Sequence, residues 1–135
     1  MDLDVAMTVA SAGMKLQSAR LRVVAENLAN AESTARTPGG EPFRRKTLEV
    51  VSRRDRESGA MLAQVRRYGV DRSELPLRHM PGHPAADAAG YVRFPNVNPL
   101  VELMDMREAQ RSYEANLNTL QMARAMIQRT LDILR

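Results

Sequence analysis

The segment from Pro99 to Arg135 carries the pattern that most constrains the fold. Its apolar residues recur at alternating steps of three and four, which predicts a long α-helix with a seam of the coiled-coil kind. The seam residues are Leu103, Met106, Tyr113, Leu117, Leu120, Ile127, Leu131 and Leu134. Asn98 is placed to cap this helix, and Pro99 suits its first position. At 1.5 Å per residue the helix would run roughly 50 Å.

The same helix carries a second apolar row on another face. Its members are Ala115, Thr119, Met122, Met126 and Ile133. A helix with two apolar rows cannot bury both against a single neighbour. The pattern therefore predicts packing partners on two sides.

The segment from residue 3 to residue 31 repeats this arrangement. Asp2 or Asp4 can cap its start, where a negative charge also suits the helix dipole. Two apolar rows follow: Met7, Met14, Leu21 and Leu28 in one, and Val5, Val9, Ala12, Leu16, Ala19 and Val23 in the other. We predict a first long helix that also needs partners on two sides.

The middle of the chain changes period. Residues 43–52 and 61–70 have the β-branched, alternating character of strands, and the charged stretch 53–60 between them predicts a turn. Pro76, Pro81 and Pro84 predict an irregular chain thereafter. The predicted fold class is mainly α with a small β-rich insert, in which long N- and C-terminal helices pack as an antiparallel coiled-coil-like pair. Its parts are residues 1–34, 35–98 and 99–135, forming one structural unit.

Several kinds of site are excluded or disfavoured by the residues. The chain has no cysteine, so a disulfide or a cysteine-type metal site cannot form. No nucleophile elbow, phosphate-binding glycine loop or catalytic carboxylate pair is present, so we predict no enzyme and no cofactor. His79, His83 and Asp87 stand at steps of four, like a two-histidine, one-carboxylate metal set. The prolines among them prevent helical spacing, and we predict loop residues without a metal.

Charge leaves two interpretations open. The formal net charge is +4 and the pI about 10.1, with most of the excess arginine in the middle of the chain. Such an excess is typical of a nucleic-acid-binding protein, but the stacking aromatics that accompany arginine in such proteins are missing. A solvated or subunit-contacting strand surface is the favoured interpretation. The acidic N-terminus and the lack of an apolar run of roughly 20 residues argue against a secretory signal and a membrane span.

The run from Tyr91 to Asn96 concentrates aromatics that are scarce elsewhere. Pro95 and Pro99 favour an extended chain here, in which side chains alternate between two faces. We expect one face to clamp the middle segment onto the helices and the other to meet a neighbouring subunit. The predicted docking segment is Tyr91, Val92, Arg93, Phe94, Pro95 and Asn96.

Residues 11–34, with the element Asn27, Leu28, Ala29 and Asn30, resemble the N-terminal signature of bacterial flagellar rod and hook proteins. The Gly–Tyr–Val–Arg–Phe–Pro–Asn–Val–Asn run at residues 90–98 narrows the resemblance to the proximal rod proteins of the flagellar basal body, and residues 39–46 agree. This resemblance implies a structural subunit of the rod, the drive shaft that crosses the periplasm and transmits torque. It also implies helices that face the interior of a tube, with the β-rich middle outside.

The resemblance further implies partners and a route of assembly. The partners would be its own copies, other rod proteins, the adaptor joining the rod to the membrane-embedded ring, and the flagellar type III export apparatus, through which the chain would pass without a cleaved signal. The residues predicted to form subunit interfaces are Met7, Met14, Leu21, Leu28, Asn27, Asn30, Tyr113, Leu117, Leu120, Ile127, Leu131 and Leu134. The alternative function is a basic helical protein that binds nucleic acid.

Overall fold

A computed structural model describes residues 2–134. The elements are α1 (Leu3–Ala29), β1 (Lys46–Arg54), β2 (Met61–Val70), β3 (Leu77–His79), β4 (Tyr91–Arg93) and α2 (Pro99–Ile133). β1 pairs with β2 and β3 with β4, in two separate two-stranded sheets. Two long helices packed against each other, with a small β insert, confirm the predicted fold class. Each helix ends two residues before its predicted end, and Met1 and Arg135 lie outside the described residues.

The chain forms two compact units. The first unit holds residues 2–21, 48–67 and 107–134, and the second holds residues 22–47 and 68–106. Each unit therefore contains part of both helices and part of the β1–β2 hairpin.

In the first unit the two helices approach closely at Gly13, and the buried residues of both helices are small. Ala10, Ala109 and Ala123 are buried. A Cβ added at Gly13 would lie 2.8 Å from Asn116 Nδ2, closer than real Cβ contacts come. A side chain at position 13 would require the Asn116 side chain to move, whereas glycine leaves room for it.

The two helices of the first unit run antiparallel. Gly13 lies against the Asn116 side chain, and the ion pair between Arg20 and Glu108, 3.9 Å apart, comes later in α1 but earlier in α2. The deepest positions of α2 here are alanines, whereas the predicted seam consisted of large residues. The distance between packed helix axes depends on the size of the side chains at the contact, and small side chains allow a closer approach.

The second unit contains a short hairpin that the prolines obscured. β3 pairs antiparallel with β4, with Leu77 opposite Arg93, Arg78 opposite Val92 and His79 opposite Tyr91. The prediction of an irregular chain after residue 76 was therefore wrong for β3. Pro76 precedes this strand and Pro81 follows it, so neither removes a donor from the strand ladder.

A small apolar cluster lies beside this hairpin. It consists of Ala85, Val92 and Phe94, with Ala35 and Ala86 packed against it. The guanidinium carbon of Arg78 lies 4.2 Å from the centre of the Phe94 ring, in a cation–π contact.

Asn27 anchors the end of α1 to the start of β1. Its side chain is fully buried. The amide nitrogen donates to the carbonyl of Lys46 at 2.9 Å, and the amide oxygen accepts the N–H of Lys46 at 2.7 Å. The amide nitrogen also donates to Glu102 Oε2 at 3.3 Å. One asparagine thus links α1, β1 and α2 within the second unit.

Glu102 completes the network from the first turn of α2. Its carboxylate is fully buried. Glu102 Oε1 accepts a hydrogen bond from Nε of Arg45 at 2.5 Å. The backbone N–H of Arg45 donates to Asn96 Oδ1 at 2.8 Å, which brings in the chain after β4. A buried carboxylate is costly unless it is paired and hydrogen-bonded, and Glu102 is both.

We predict that Glu102→Ala destabilises the protein by about 2–4 kcal/mol, because Arg45 and the Asn27 amide would lose their common acceptor. Glu108→Ala is the matched control, since Glu108 is an exposed acid of the same helix, and its loss should cost at most about 0.5 kcal/mol. Urea unfolding followed by circular dichroism measures both. Equal stability of the two variants would contradict the role of the buried carboxylate.

The turn between β1 and β2 holds a second carboxylate with several donors. Asp55 Oδ2 accepts the Ser58 hydroxyl at 2.7 Å and the Ser58 N–H at 2.9 Å. Gly59 completes the turn at φ 70°, and its N–H donates to the Asp55 carbonyl. The hydrogen bond from the Ser58 side chain is the largest cause that holds the pKa of Asp55 below its usual value.

We predict that Ser58→Ala raises the pKa of Asp55 toward its usual value, as measured by an NMR pH titration. Because folding lowers this pKa, the carboxylate's contribution to stability is present above the unfolded pKa and is lost as pH falls through the folded pKa. The variant should therefore lose stability at neutral pH and show a smaller loss on acidification through this window. An unchanged titration of Asp55 would contradict this account of the turn.

Candidate functional site: the assembly surfaces

An uncovered apolar face of the first unit lies on α2. We call it the methionine stripe, and its members are Ala115, Thr119, Met122, Met126 and Ile133. All are exposed, Met122 by 59% and Ile133 by 84%. Contiguous apolar surface of this kind marks a site of interaction.

A groove lies beside α2 in the same unit. Residues 4–16 of α1, residues 62–65 of β2, and Leu120 and Arg124 of α2 line it, and its volume is about 670 Å³. Its apolar lining residues are Met7, Ala12, Leu16, Leu62, Ala63, Val65 and Leu120, and Thr8, Ser11 and Gln64 also line it. Charged groups also border it, contributed by Asp4, Lys15 and Arg124.

The large apolar residues predicted for subunit interfaces fall into two groups by exposure. Most keep part of their surface accessible while contributing to their own unit. These half-buried residues are Met7, Met14, Leu21, Leu28, Tyr113, Leu117, Leu120 and Ile127. Leu131 and Leu134, at the end of α2, are exposed. Their contacts with neighbouring subunits stay a prediction.

In the second unit, the first turns of α2 present another apolar patch. Leu100, Val101, Leu103 and Met104 are exposed, whereas Glu102 among them is fully buried. The helix therefore turns its acid inward to Arg45 and Asn27 and its large apolar side chains outward. This inversion of the usual pattern leaves a surface suited to a partner.

The predicted docking segment is largely engaged inside the second unit. Val92, Phe94 and Pro95 are buried. The apolar cluster around Val92 and Phe94 is built from Ala35, Ala85 and Ala86, which lie in loops, whereas helix contacts were expected. Tyr91 is 44% exposed, and its ring meets His79 edge-on at 5.1 Å.

Arg93 and Asn96 of this segment hold neighbouring loops. The Arg93 guanidinium donates to the carbonyls of Gly39 and Gly40, at 3.2 and 2.8 Å, and to Glu41 Oε1 at 3.1 Å. Asn96 accepts the Arg45 N–H and donates to the Asp71 carbonyl at 3.1 Å and to Ser73 Oγ at 3.0 Å. Of the six residues, Tyr91 offers the largest free side-chain surface.

The two asparagines of the N-terminal signature have different roles. Asn30 donates to the carbonyl of Glu26 at 2.8 Å and accepts Ser33 Oγ at 3.0 Å. The same carbonyl also accepts the backbone N–H of Asn30 at 3.1 Å, so the side chain adds a second hydrogen bond at the end of α1. Asn27 instead makes the network with Glu102, 75 residues away, a residue whose importance the sequence did not reveal. An acid in the first turn of a helix is most simply explained by the helix dipole.

The three residues considered as a metal set have separate contacts. His79 lies in β3 rather than in a loop. His83 Nδ1 accepts the N–H of Ala85 at 3.0 Å. In a neutral ring the proton is then on Nε2, which can donate it to Thr34 Oγ1 at 3.2 Å. Asp87 accepts the backbone N–H groups of residues 89 and 91. Within residues 2–134 no group of three such side chains is arranged to hold a metal ion.

Two arginines of the β1–β2 hairpin share one carboxylate partner in the first unit. Arg66 and Arg67 both donate to Glu49. The hydrogen bond from Arg67 is the largest cause that lowers the pKa of Glu49. These pairs place the arginines in a solvated network on the strand surface, and nothing in them supports nucleic-acid binding. Neither described helix is long and apolar enough to cross a membrane.

Comparison with known proteins identifies the family. The model of the C-terminal region of flagellar basal body rod FlgEFG proteins matches residues 88–133. The flagellar basal-body rod protein FlgC of Agrobacterium fabrum is 47% identical over 98% of this chain and 96% of its own length. The proteins of the same name from Salmonella typhimurium and Bacillus subtilis are 39% and 33% identical, over 93% and 94% of this chain and 92% and 95% of their own lengths. The chain therefore belongs to the FlgC family of flagellar basal-body rod proteins, whose members are structural subunits rather than enzymes.

Proposed function

We propose that this rod subunit polymerises with its own copies and with other rod proteins through the apolar surfaces that its own fold leaves uncovered. The methionine stripe is the observation that carries the proposal. Burial of apolar surface contributes roughly 25 cal/mol per Å², so a stripe that is solvated in the monomer supplies a driving force once a neighbour covers it. The patch formed by Leu100, Val101, Leu103 and Met104 offers a further contact in the second unit.

A rod that carries torque has to resist twisting, and the packing of this subunit suits that task. In the first unit the helices are in close contact at Gly13 and Asn116. Half-buried residues such as Leu117 and Ile127 can contact their own chain and a neighbour at once. Many small dispersion contacts shared among subunits add up to a stiff structure. We therefore assign the subunit to the transmission of torque along the rod.

The route to the periplasm belongs to the same proposal. The chain passes unfolded through the flagellar type III export apparatus and keeps its N-terminal segment. Support comes from α1 itself, since its early residue Ala10 is buried in the packed first unit. Removal of this segment would take a buried residue out of the first unit. The adaptor that joins the rod to the membrane-embedded ring is a proposed partner, and the interior of the rod tube is the proposed position of the helices.

We predict that Met126→Asp abolishes incorporation into the rod without unfolding the subunit. Met126 is exposed in the monomer, so the charge costs little there, whereas covering it in an interface costs several kcal/mol unless it finds a partner. Complementation of a rod-deficient strain, scored by swimming and by the amount of subunit in isolated basal bodies, measures the effect.

Gln128→Asp is the control for this experiment, because Gln128 is exposed on the same helix but outside the stripe. It should swim normally. Normal swimming of both variants would show that the stripe is not an assembly surface. Failure of the wild-type chain to enter basal bodies would contradict the proposed function itself.

We further predict that the last turns of α2 exchange their amide hydrogens rapidly in an isolated monomer. Leu131, Ile133 and Leu134 are exposed there, so little burial offsets the backbone entropy of about 1–2 kcal/mol per ordered residue. Hydrogen exchange followed by mass spectrometry should show slow exchange around Ala109 and fast exchange beyond residue 128. Equally slow exchange to the end of α2 in a proven monomer would contradict this prediction.

A further inference from the structure

We infer that the groove of the first unit receives the methionine stripe of a second copy of this chain, with the incoming α2 antiparallel to the α1 that lines the groove. The inference rests on the proposed rod function and names one contact within the polymer. Both surfaces belong to the first unit and are accessible in the monomer.

The two surfaces have matching lengths and chemistry. The α1 wall of the groove runs from Asp4 to Leu16, which is about 18 Å at 1.5 Å per residue. The part of the stripe from Ala115 to Met126 spans about 17 Å on the same scale, and Ile133 lies beyond it. The groove lining is apolar over most of its length, and methionine side chains adapt readily to an irregular apolar surface.

Charge sets the direction of the incoming helix. Asp4 and Lys15 are three helical turns apart on one line of α1, with the acid nearer the N-terminus. One edge of the stripe carries Glu114 and Arg129, also with the acid first. Only an antiparallel arrangement brings Arg129 to Asp4 and Glu114 towards Lys15, since a parallel one would oppose like charges. Arg124, on the α2 wall, can meet Asp132 of the incoming helix, one turn beyond Arg129.

This contact would build a polymer rather than a closed pair. The groove and the stripe are different surfaces of one chain, so every copy that offers its stripe still has an open groove. A head-to-tail contact of this kind continues until its geometry closes a ring or extends a helical filament. A filament is the form that a rod requires.

The register predicts a specific pair of neighbouring residues. In this register Arg129 of the incoming helix lies level with Asp4 of α1. Met122 precedes Arg129 by seven residues, so in the antiparallel arrangement it lies beside residues 11 and 12 of α1. The natural chain has no cysteine, so Ala12→Cys and Met122→Cys can be placed in two differently tagged chains without competing thiols. Both chains are expressed together in a rod-deficient strain, and isolated basal bodies are oxidised mildly.

We expect a disulfide-linked dimer that carries both tags. The matched control replaces Met122→Cys by Gln128→Cys, which lies outside the stripe and should give no dimer with Ala12→Cys. Asp4→Lys in the Ala12→Cys chain, or Arg129→Glu in the Met122→Cys chain, should alone lower the fraction of disulfide-linked dimer. The expected decrease is about twofold to fivefold, the range for an exposed ion pair. The two charge changes together should restore the linked fraction.

Each other outcome counts against the inference in a distinct way. Basal bodies that contain both chains but no linked dimer would overturn the groove–stripe contact and leave the proposed rod function intact. A link from Ala12→Cys to a different basal-body protein would overturn the second copy as the occupant of the groove. Absence of the wild-type chain from basal bodies would overturn the proposed function and the inference together.

Discussion

The close approach of the two helices in the first unit determines which apolar residues remain for other chains. The Asn116 side chain fills the space that a Cβ at Gly13 would need, and the buried residues of the two helices there are Ala10, Ala109 and Ala123. Small side chains bring backbones together but bury little apolar area each. The large side chains of α2, above all Met122 and Met126, consequently lie outside this contact. In the proposed rod, burial of these exposed side chains against a neighbour would contribute to the driving force for assembly.

The second unit is held by a polar arrangement in place of a large apolar core. Asn27 saturates both backbone groups of Lys46, and Glu102 joins Asn27 to Arg45. A buried network of this kind demands particular partners at particular distances, so it specifies one arrangement of α1, β1 and α2 where apolar contacts would tolerate several. By turning Glu102 inward it also turns its apolar neighbours in α2 outward. Both units thus present large apolar side chains on α2, for different physical reasons.

The sequence predicted the elements better than it predicted their contacts. Capping by Asn98 and the three–four period located α2, and alternation located β2, because these signals are local. The sequence did not predict β3, because prolines disfavour strands. Here Pro76 and Pro81 flank the strand and lie outside it. A step of seven links Glu102, Ala109, Asn116 and Ala123, yet two of these residues are polar and two are small, so hydrophobicity pointed to the neighbouring leucines instead. The pairing of Asn27 with Glu102 depends on tertiary structure alone, so no local pattern indicates it. The second apolar row of α2 was predicted to need a partner, and this row is exposed in the monomer.

A density map of the intact basal body at a resolution that shows side chains tests the central claim most directly. That claim is that small residues close the subunit internally while the large apolar residues of α2 join subunits. In such a map we expect Gly13 to face Asn116 within each copy of this chain. We also expect a neighbouring chain to cover Met122 and Met126. A map in which these methionines face water, while Ala109 and Ala123 contact a neighbour, would contradict it.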